Sequence, residues 1–301
     1  MKAKILMRLL FPEHNENTPA RTAILMSGTG SNAEALIRYC RQNKCAFSPE
    51  VLVTDNPGCR AGELSRLYDI PLLELDIHKF YADRGEDSIK LDTPRRQEIR
   101  EEWSNTLHQL LVPYGIELVL LAGFVPLTGL TAVLPCLNVH PGDLTISDSS
   151  GRRLYAGLHN RPVEDAICDG CTSTRSSVIL AQPYSGNGKG EMDSGPVLGV
   201  SEAIPLDLAP ETAQSLSEVR KKRIPGKRPD DILRRKAVQT VEILKVRGDH
   251  VIFPAAADDF ARGRFACDEN GTLFFRNGTV FKEILSVEYT PAGKKLLERS
   301  K

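Results

Sequence analysis

Residues 22–40 read Thr22-Ala-Ile-Leu-Met26, then Ser27-Gly-Thr-Gly-Ser-Asn32, then Ala33-Glu-Ala-Leu-Ile-Arg-Tyr-Cys40. A short apolar run, a glycine turn and a helical pattern in that order predict strand, loop and helix. Downstream, Glu50-Val-Leu-Val-Thr54 and Ile70-Pro-Leu-Leu-Glu-Leu75 read as further strands, with a turn at Asp55-Asn-Pro-Gly58 and a helix near 60–68 between them. Apolar positions Ile99, Trp103, Leu107 and Leu110/Leu111 mark one face of a helix within 93–114. Glu117-Leu-Val-Leu-Leu-Ala122 is the most apolar strand, and Cys136-Leu-Asn-Val-His140 begins another. Strand and helix alternating in this way predict an α/β fold with a doubly wound, mostly parallel sheet. Ligands of such sheets sit beyond the carboxyl ends of the strands, where the 27–32 loop, the 123–128 loop and residues 138–145 converge.

After residue 157 the pattern gives a helix at 159–169, a strand at 176–181 and a glycine-rich polar loop from Pro183 to Glu191. Residues 237–261 read as a long helix, broken or kinked near Pro254. Residues 272–288 read as a β-hairpin turning at Asn277-Gly278. The charges of 209–236 are mixed in sign, Arg220-Lys-Lys-Arg223 lying among Glu211, Glu218, Asp230 and Asp231, as on a solvated helix face.

The 301 residues suffice for a sizeable core, and 41% hydrophobic with 26% charged residues is ordinary for a globular chain. Lys plus Arg balances Asp plus Glu at 39 each, so no global field draws nucleic acid or an anionic membrane. The N-terminal apolar run is broken by Arg8 and lacks a small-residue cleavage site, which makes the expected location cytoplasmic. Of seven scattered cysteines, Cys168-Asp-Gly-Cys171 alone has the spacing of a metal or redox half-site; without a second pair, no metal is expected.

Three motifs could carry chemistry. Gly28-Thr-Gly-Ser-Asn32 opens a helix, where backbone N–H groups and the helix dipole favour a phosphate. Its spacing is neither the dinucleotide nor the P-loop pattern, and a tight turn without ligand would look the same. Asn138 and His140 share a strand face, where two donors can hold a developing oxyanion, although a histidine there is often only structural. Asp193 lies in Asp193-Ser-Gly-Pro196, equally the pattern of an ordinary turn.

Taken in order, the glycine loop after an apolar strand, Leu121-Ala-Gly-Phe124, Asn138-Val-His-Pro141 and Asp193-Ser-Gly-Pro196 resemble the glycinamide ribonucleotide formyltransferase family. The likeness continues through Gly157-Leu-His-Asn-Arg-Pro-Val-Glu-Asp-Ala-Ile167 and, more faintly, Gly248-Asp-His-Val-Ile-Phe-Pro254 and Phe260-Ala-Arg-Gly-Arg264. It spans residues 20–265, with insertions near 80–92, 147–156, 183–189 and 209–236. It implies one formyltransferase-like domain over 1–301, with 266–301 as a C-terminal extension carrying the hairpin.

The resemblance also implies transfer of a formyl group from 10-formyltetrahydrofolate, a co-substrate, to a primary amine. Asn138, His140 and Asp193 would be catalytic, with Asn138 and protonated His140 at the oxyanion and Asp193 supporting the imidazolium and shuttling a proton. Gly30, Ser31 and Asn32 would take the substrate phosphate. Phe124, Val125, Leu127 and Arg95 would serve the folate, and Asp249 the amine substrate. The implied partners are small molecules, a reduced folate and a phosphorylated amine, and a homodimer is allowed. Departures surround the trio: Gly142-Asp-Leu-Thr145 in place of Ser-Leu-Leu-Pro, Pro126 in place of an arginine, Ser177 in place of a histidine and Asp249 in place of a glutamate. These leave open another acceptor such as an amino sugar nucleotide, or hydrolysis of the formyl-folate. A non-catalytic folate or nucleotide binder is a further alternative, disfavoured by the intact trio.

Overall fold

A computed structural model of the chain describes residues 7–186 and 192–299. The first half runs β1 (Arg8–Leu9), β2 (Ala20–Met26), α1 (Ser31–Gln42), β3 (Phe47–Thr54), α2 (Ala61–Tyr68), β4 (Leu72–Glu74) and α3 (Ile77–Ala82). There follow α4 (Pro94–Leu111), β5 (Leu118–Leu121), β6 (Cys136–His140), α5 (Arg161–Cys168), β7 (Ser173–Thr174), β8 (Ser177–Leu180), β9 (Val197–Val200) and β10 (Ile204–Pro205). The rest comprises α6 (Ala213–Lys221), α7 (Ile232–Leu244), α8 (His250–Ala261), β11 (Phe265–Cys267), β12 (Leu273–Asn277), β13 (Val280–Glu283), β14 (Ser286–Thr290) and β15 (Gly293–Leu297).

Among the described residues the main sheet has nine strands in the order β15-β14-β9-β8-β6-β5-β2-β3-β4. β8 runs antiparallel to its neighbours β6 and β9, β15 runs antiparallel to β14, and the remaining pairs are parallel. The sheet is doubly wound. Ala33, Leu36 and Ile37 of α1, Leu64 of α2 and Phe253, Ala256 and Phe260 of α8 cover one face. Ile77 and Tyr81 of α3 and Ile99, Trp103 and Leu107 of α4 cover the other. Side chains on alternate strand residues feed the two layers, so Ile24 joins the first and Ala23 and Leu25 the second.

Three expectations change. The 237–261 helix starts earlier, at Ile232, and is interrupted at 245–249 by a single wide π-turn, while Pro254 sits inside α8. It lies in the second turn of α8, preceded by helical backbone, and supplies no N–H to the helix there. The C-terminal hairpin is β12–β13, with Asn277 paired to Val280, so Gly278 (φ +64°) and Thr279 make the turn. The hairpin ends at Glu283; β14 pairs instead with β9 and brings β15 with it, so the extension completes the main sheet. The mixed charges of 209–236 are only partly solvated. Leu216, Leu233 and Ala237 pack on Val163 and Ile167, and Arg223 joins half-buried Asp231 to buried Glu164. No helix among the described residues is long and apolar enough to cross a membrane.

Buried Asp259 ties the extension to α8, accepting from the Tyr289 hydroxyl at 2.9 Å, Lys294 Nζ at 2.6 Å and Arg264 Nη1 at 2.7 Å. Burial, with the Asp259 charge beside it, pushes the Tyr289 phenol well above its ordinary range, so it stays a donor. Removing one partner of a buried cluster leaves the others unpaired. Asp259→Ala is expected to cost about 2–4 kcal/mol, the upper part discounted because both cations reach solvent. A urea midpoint equal to wild type would mean that β14 and β15 are held by packing alone.

Candidate active site

β6 lies between β5 and β8, and its alternation sends Leu137 and Val139 into the α1/α8 layer while Asn138 and His140 face the opposite way. Directly paired residues share a face, so His140 lies in a row with Ser177 and Val200, and Asn138 in a row with Ile179 and Val197. His140 is buried, and its Nε2 is 2.8 Å from the Tyr155 carbonyl oxygen. A carbonyl oxygen only accepts, so Nε2 carries the hydrogen and Nδ1 is the nitrogen left for chemistry. The Ser177 hydroxyl donates to the Gly142 carbonyl at 2.7 Å and accepts from Leu144 N–H at 3.0 Å, fixing the chain that leaves His140.

At the end of β2 the loop enters α1 through Gly30, at φ +69°, where a Cβ would come 2.7 Å from the Met26 methyl. No side chain caps the helix, which leaves its first N–H groups to an outside anion. Ser31 opens the helix, while the Asn32 side chain turns elsewhere: Nδ2 donates to Asp249 Oδ2 at 3.1 Å and its buried Oδ1 has no partner among the described residues. The π-turn delivers Asp249 to this spot, and Ser176 Oγ donates to its other oxygen at 2.5 Å. Burial pushes the Asp249 carboxyl above the usual carboxylate range, opposed by the hydrogen bonds from Ser176 and Asn32 and by the nearby histidines His250 and His140. The 27–32 loop, Asp249 and the β6 end are thus contiguous.

In the 123–128 loop, Phe124 stacks on Trp103 with centroids 6.1 Å apart, Val125 is exposed and Leu127 half-buried. The Ser27 hydroxyl accepts from Val125 N–H at 3.0 Å and donates to Asp55 at 2.5 Å, pinning this loop to the 27–32 loop. Arg95, expected at the folate end, instead points to solvent and pairs with Glu98 at 3.3 Å, because it occupies the outer face of α4's first turn. The arginine that touches the loop is Arg100, buried and donating to the carbonyls of Leu127 (3.1 Å) and Ile89 (2.7 Å). Nothing in the sequence distinguished it from Arg95 and Arg96, since all three lie within two turns of one helix.

Asp193 stands in the short turn Met192–Ser194, ahead of β9; the part of the preceding loop at 187–191 lies outside the described residues. Arg153 donates to the carbonyls of Asp193 and Gly195. Burial pulls the Arg153 guanidinium below its ordinary range, with the Asp193 carboxylate opposing. Among the described residues no hydrogen bond or ion pair joins Asp193 to His140, whose ring partner is the Tyr155 carbonyl instead. A cavity of about 1130 Å³ opens beside Asp193, bounded by Arg153, Leu154, Ala156, Pro196 and Leu285; Asn138, His140 and residues 28–32 do not line it. A second, of about 450 Å³, lies between α4 and Thr131, Pro183 and Tyr184. Cys171 meets the Tyr155 hydroxyl at 3.0 Å, and no group of three His, Cys, Asp or Glu among the described residues is set to hold a metal.

A formyl transferase family model matches residues 20–145, which hold the 27–32 loop, the 123–128 loop, Asn138 and His140. The human trifunctional purine biosynthetic protein adenosine-3 is 25% identical over 262 residues, 86% of this chain, and the chain spans about a fifth (20%) of that relative. A phosphoribosylglycinamide formyltransferase from Coxiella burnetii superposes with a TM-score of 0.55 at 20% identity, over 88% of this chain and 96% of the other. This is the fold of the glycinamide ribonucleotide formyltransferase family. Homologues in that family catalyse formyl transfer. A formyltetrahydrofolate deformylase from Pseudomonas putida KT2440 shares the fold at TM-score 0.50 and 16% identity, covering 84% of this chain and 69% of its own.

A carboxyl with a raised folded-state pKa holds its proton more tightly folded than unfolded. Its contribution to stability is complete at low pH and is lost as pH rises through the raised value. Asp249→Asn lacks that dependence, so its stability relative to wild type should improve as pH is raised from about 4 to about 8. A constant difference in urea midpoint across that range would mean that Asp249 titrates normally.

Proposed function

We propose that this chain moves a formyl group from 10-formyltetrahydrofolate to a primary amine, with glycinamide ribonucleotide as the acceptor. The observation that carries this reading is the shared face of Asn138 and His140 at the carboxyl end of β6, contiguous with the uncapped start of α1 through Asp249 and Asn32. An acceptor whose phosphate rests on Gly30, Ser31 and the Asn32 backbone extends toward Asp249 and the β6 end. Partnerless Asn32 Oδ1 suits a donor on that acceptor, such as a hydroxyl or amine hydrogen, and not a phosphate oxygen. The folate's apolar surface fits the wall of Phe124, Val125 and Leu127, which Arg100 supports from behind.

The neutral amine attacks the formyl carbon. Asn138 Nδ2 and a protonated His140 Nδ1 donate to the developing oxyanion. A new carbon–nitrogen bond forms as the bond to the folate nitrogen breaks, and the proton lost by the amine passes to the leaving nitrogen with Asp193 assisting. Nε2 is committed to Tyr155, so only the cation gives Nδ1 a hydrogen for the oxyanion.

The direct test supplies 10-formyltetrahydrofolate with a panel of amines, including glycinamide ribonucleotide, an amino sugar nucleotide and no amine, and follows tetrahydrofolate release. Equal release without amine would make the chain a hydrolase. Asp193→Asn should lower kcat at least about 100-fold with folate binding retained, and wild-type turnover would remove Asp193 from the chemistry. Ser31→Ala should chiefly raise the acceptor KM, and an unchanged KM would take the phosphate off this loop.

A further inference from the structure

The segment 147–156, an insertion relative to the family pattern, folds as a small hairpin. Ser147 bridges Arg153, and Leu154 N–H donates to the Ile146 carbonyl. Asp148 closes the turn: its carboxylate accepts from the Ser150 backbone and hydroxyl and from Arg152 N–H, and these bonds hold its pKa at about 2. Leu144 and Ala156 at its two ends pack on Ile179 and Val197, the sheet face that Asn138 shares. Two residues apart on its returning arm are Arg153, on the carbonyls of Asp193 and Gly195, and Tyr155, whose carbonyl receives His140 Nε2.

Gly142 belongs to the same arrangement. A Cβ there would stand 2.6 Å from the Tyr155 carbonyl oxygen, 2.8 Å from Pro162 Cβ and 3.2 Å from His140 Nε2. Any side chain at 142 would therefore push the strap off the imidazole. Glycine at 142 leaves the space that the hairpin fills.

Resting on the formyl-transfer reading above, we infer that residues 147–156 form a positioning strap that sets His140 through the Tyr155 carbonyl and the Asp193 turn through Arg153. Both contacts are made within the chain, to the His140 ring and to backbone carbonyls. The strap fixes which imidazole nitrogen faces the reaction, and it holds the aspartate turn at a fixed distance from it. Displacement of a catalytic group by about 1 Å can cost on the order of 100-fold.

Arg153→Ala and Gly142→Ala test the two ends. Each is expected to lower kcat by roughly 10- to 100-fold while both KM values move less than about threefold. In nitrogen-15 NMR of wild type, neutral His140 should be the Nε2–H tautomer with a slowly exchanging hydrogen. Gly142→Ala should lose that signature, and Arg153→Ala should keep it while amide exchange quickens at residues 193–197. Circular dichroism and urea midpoints identify a variant that has failed to fold, and Arg153→Gln, which can still donate to one carbonyl, should then be intermediate in kcat. Unchanged kcat in Arg153→Ala, a change in KM alone, or identical His140 spectra in Gly142→Ala would overturn the strap. A wild type without formyl transfer would sink the function and with it the strap's catalytic role, whereas its two contacts would still be judged by NMR and exchange.

Discussion

His140 donates through Nε2 to a carbonyl oxygen that has no hydrogen to give back, and the chemistry of the β6 end follows from that one bond. A neutral imidazole so held presents Nδ1 as a lone pair, able to take a proton; a protonated one presents Nδ1–H, able to stabilise an oxyanion. The ring cannot exchange the roles of its nitrogens without losing the bond to Tyr155. The bond needs Tyr155 to approach the backbone at 142, and that approach needs the absence of a side chain there. Backbone shape, rather than a second charged group, decides how the histidine is presented.

Asp249 follows the opposite logic. A carboxylate in a buried position is costly, and two neutral donors, Ser176 and Asn32, recover only part of its lost hydration. The chain keeps it there through a π-turn, a helix irregularity that is common at functional positions and that interrupts what would otherwise be one helix from Ile232 to Ala261. Its position between the 27–32 loop and the β6 end is the one the proposed transfer asks of a group that meets the acceptor.

Much of this was legible along the chain because the relevant forces are local. The β2–loop–α1 unit, the amphipathic α4 and the shared face of Asn138 and His140 each follow from a period of 3.6 or 2 within a dozen residues. The π-turn was not legible, since Val241, Leu244 and Ile252 continue an apolar pattern across it and Pro254 offers the more visible break. Arg95 is what the resemblance implies; the contact of Arg100 left no mark in the sequence, because spacing along a helix says which face a residue occupies but not which loop returns to that face from 27 residues away. The contacts of Arg153 with the 193–195 turn cross about 40 residues of sequence, and a backbone carbonyl such as that of Tyr155 leaves no mark in residue type.

The departures from the family pattern acquire a common physical meaning once their contacts are known. Ser177 clips the turn after His140 to β8, and Asp143 beside that turn faces Arg175, which in turn pairs with Glu288 of β14 at 2.5 Å. The C-terminal strands are therefore linked by ion pairs to the segment that leaves His140. Gly142 admits the strap, the strap takes the imidazole and the Asp193 turn, and Arg175 anchors the loop to the added edge of the sheet. Gly142, Asp143 and Ser177 thus act together, because the first leaves room for the hairpin and the other two tie the same turn to β8 and, through Arg175, to β14.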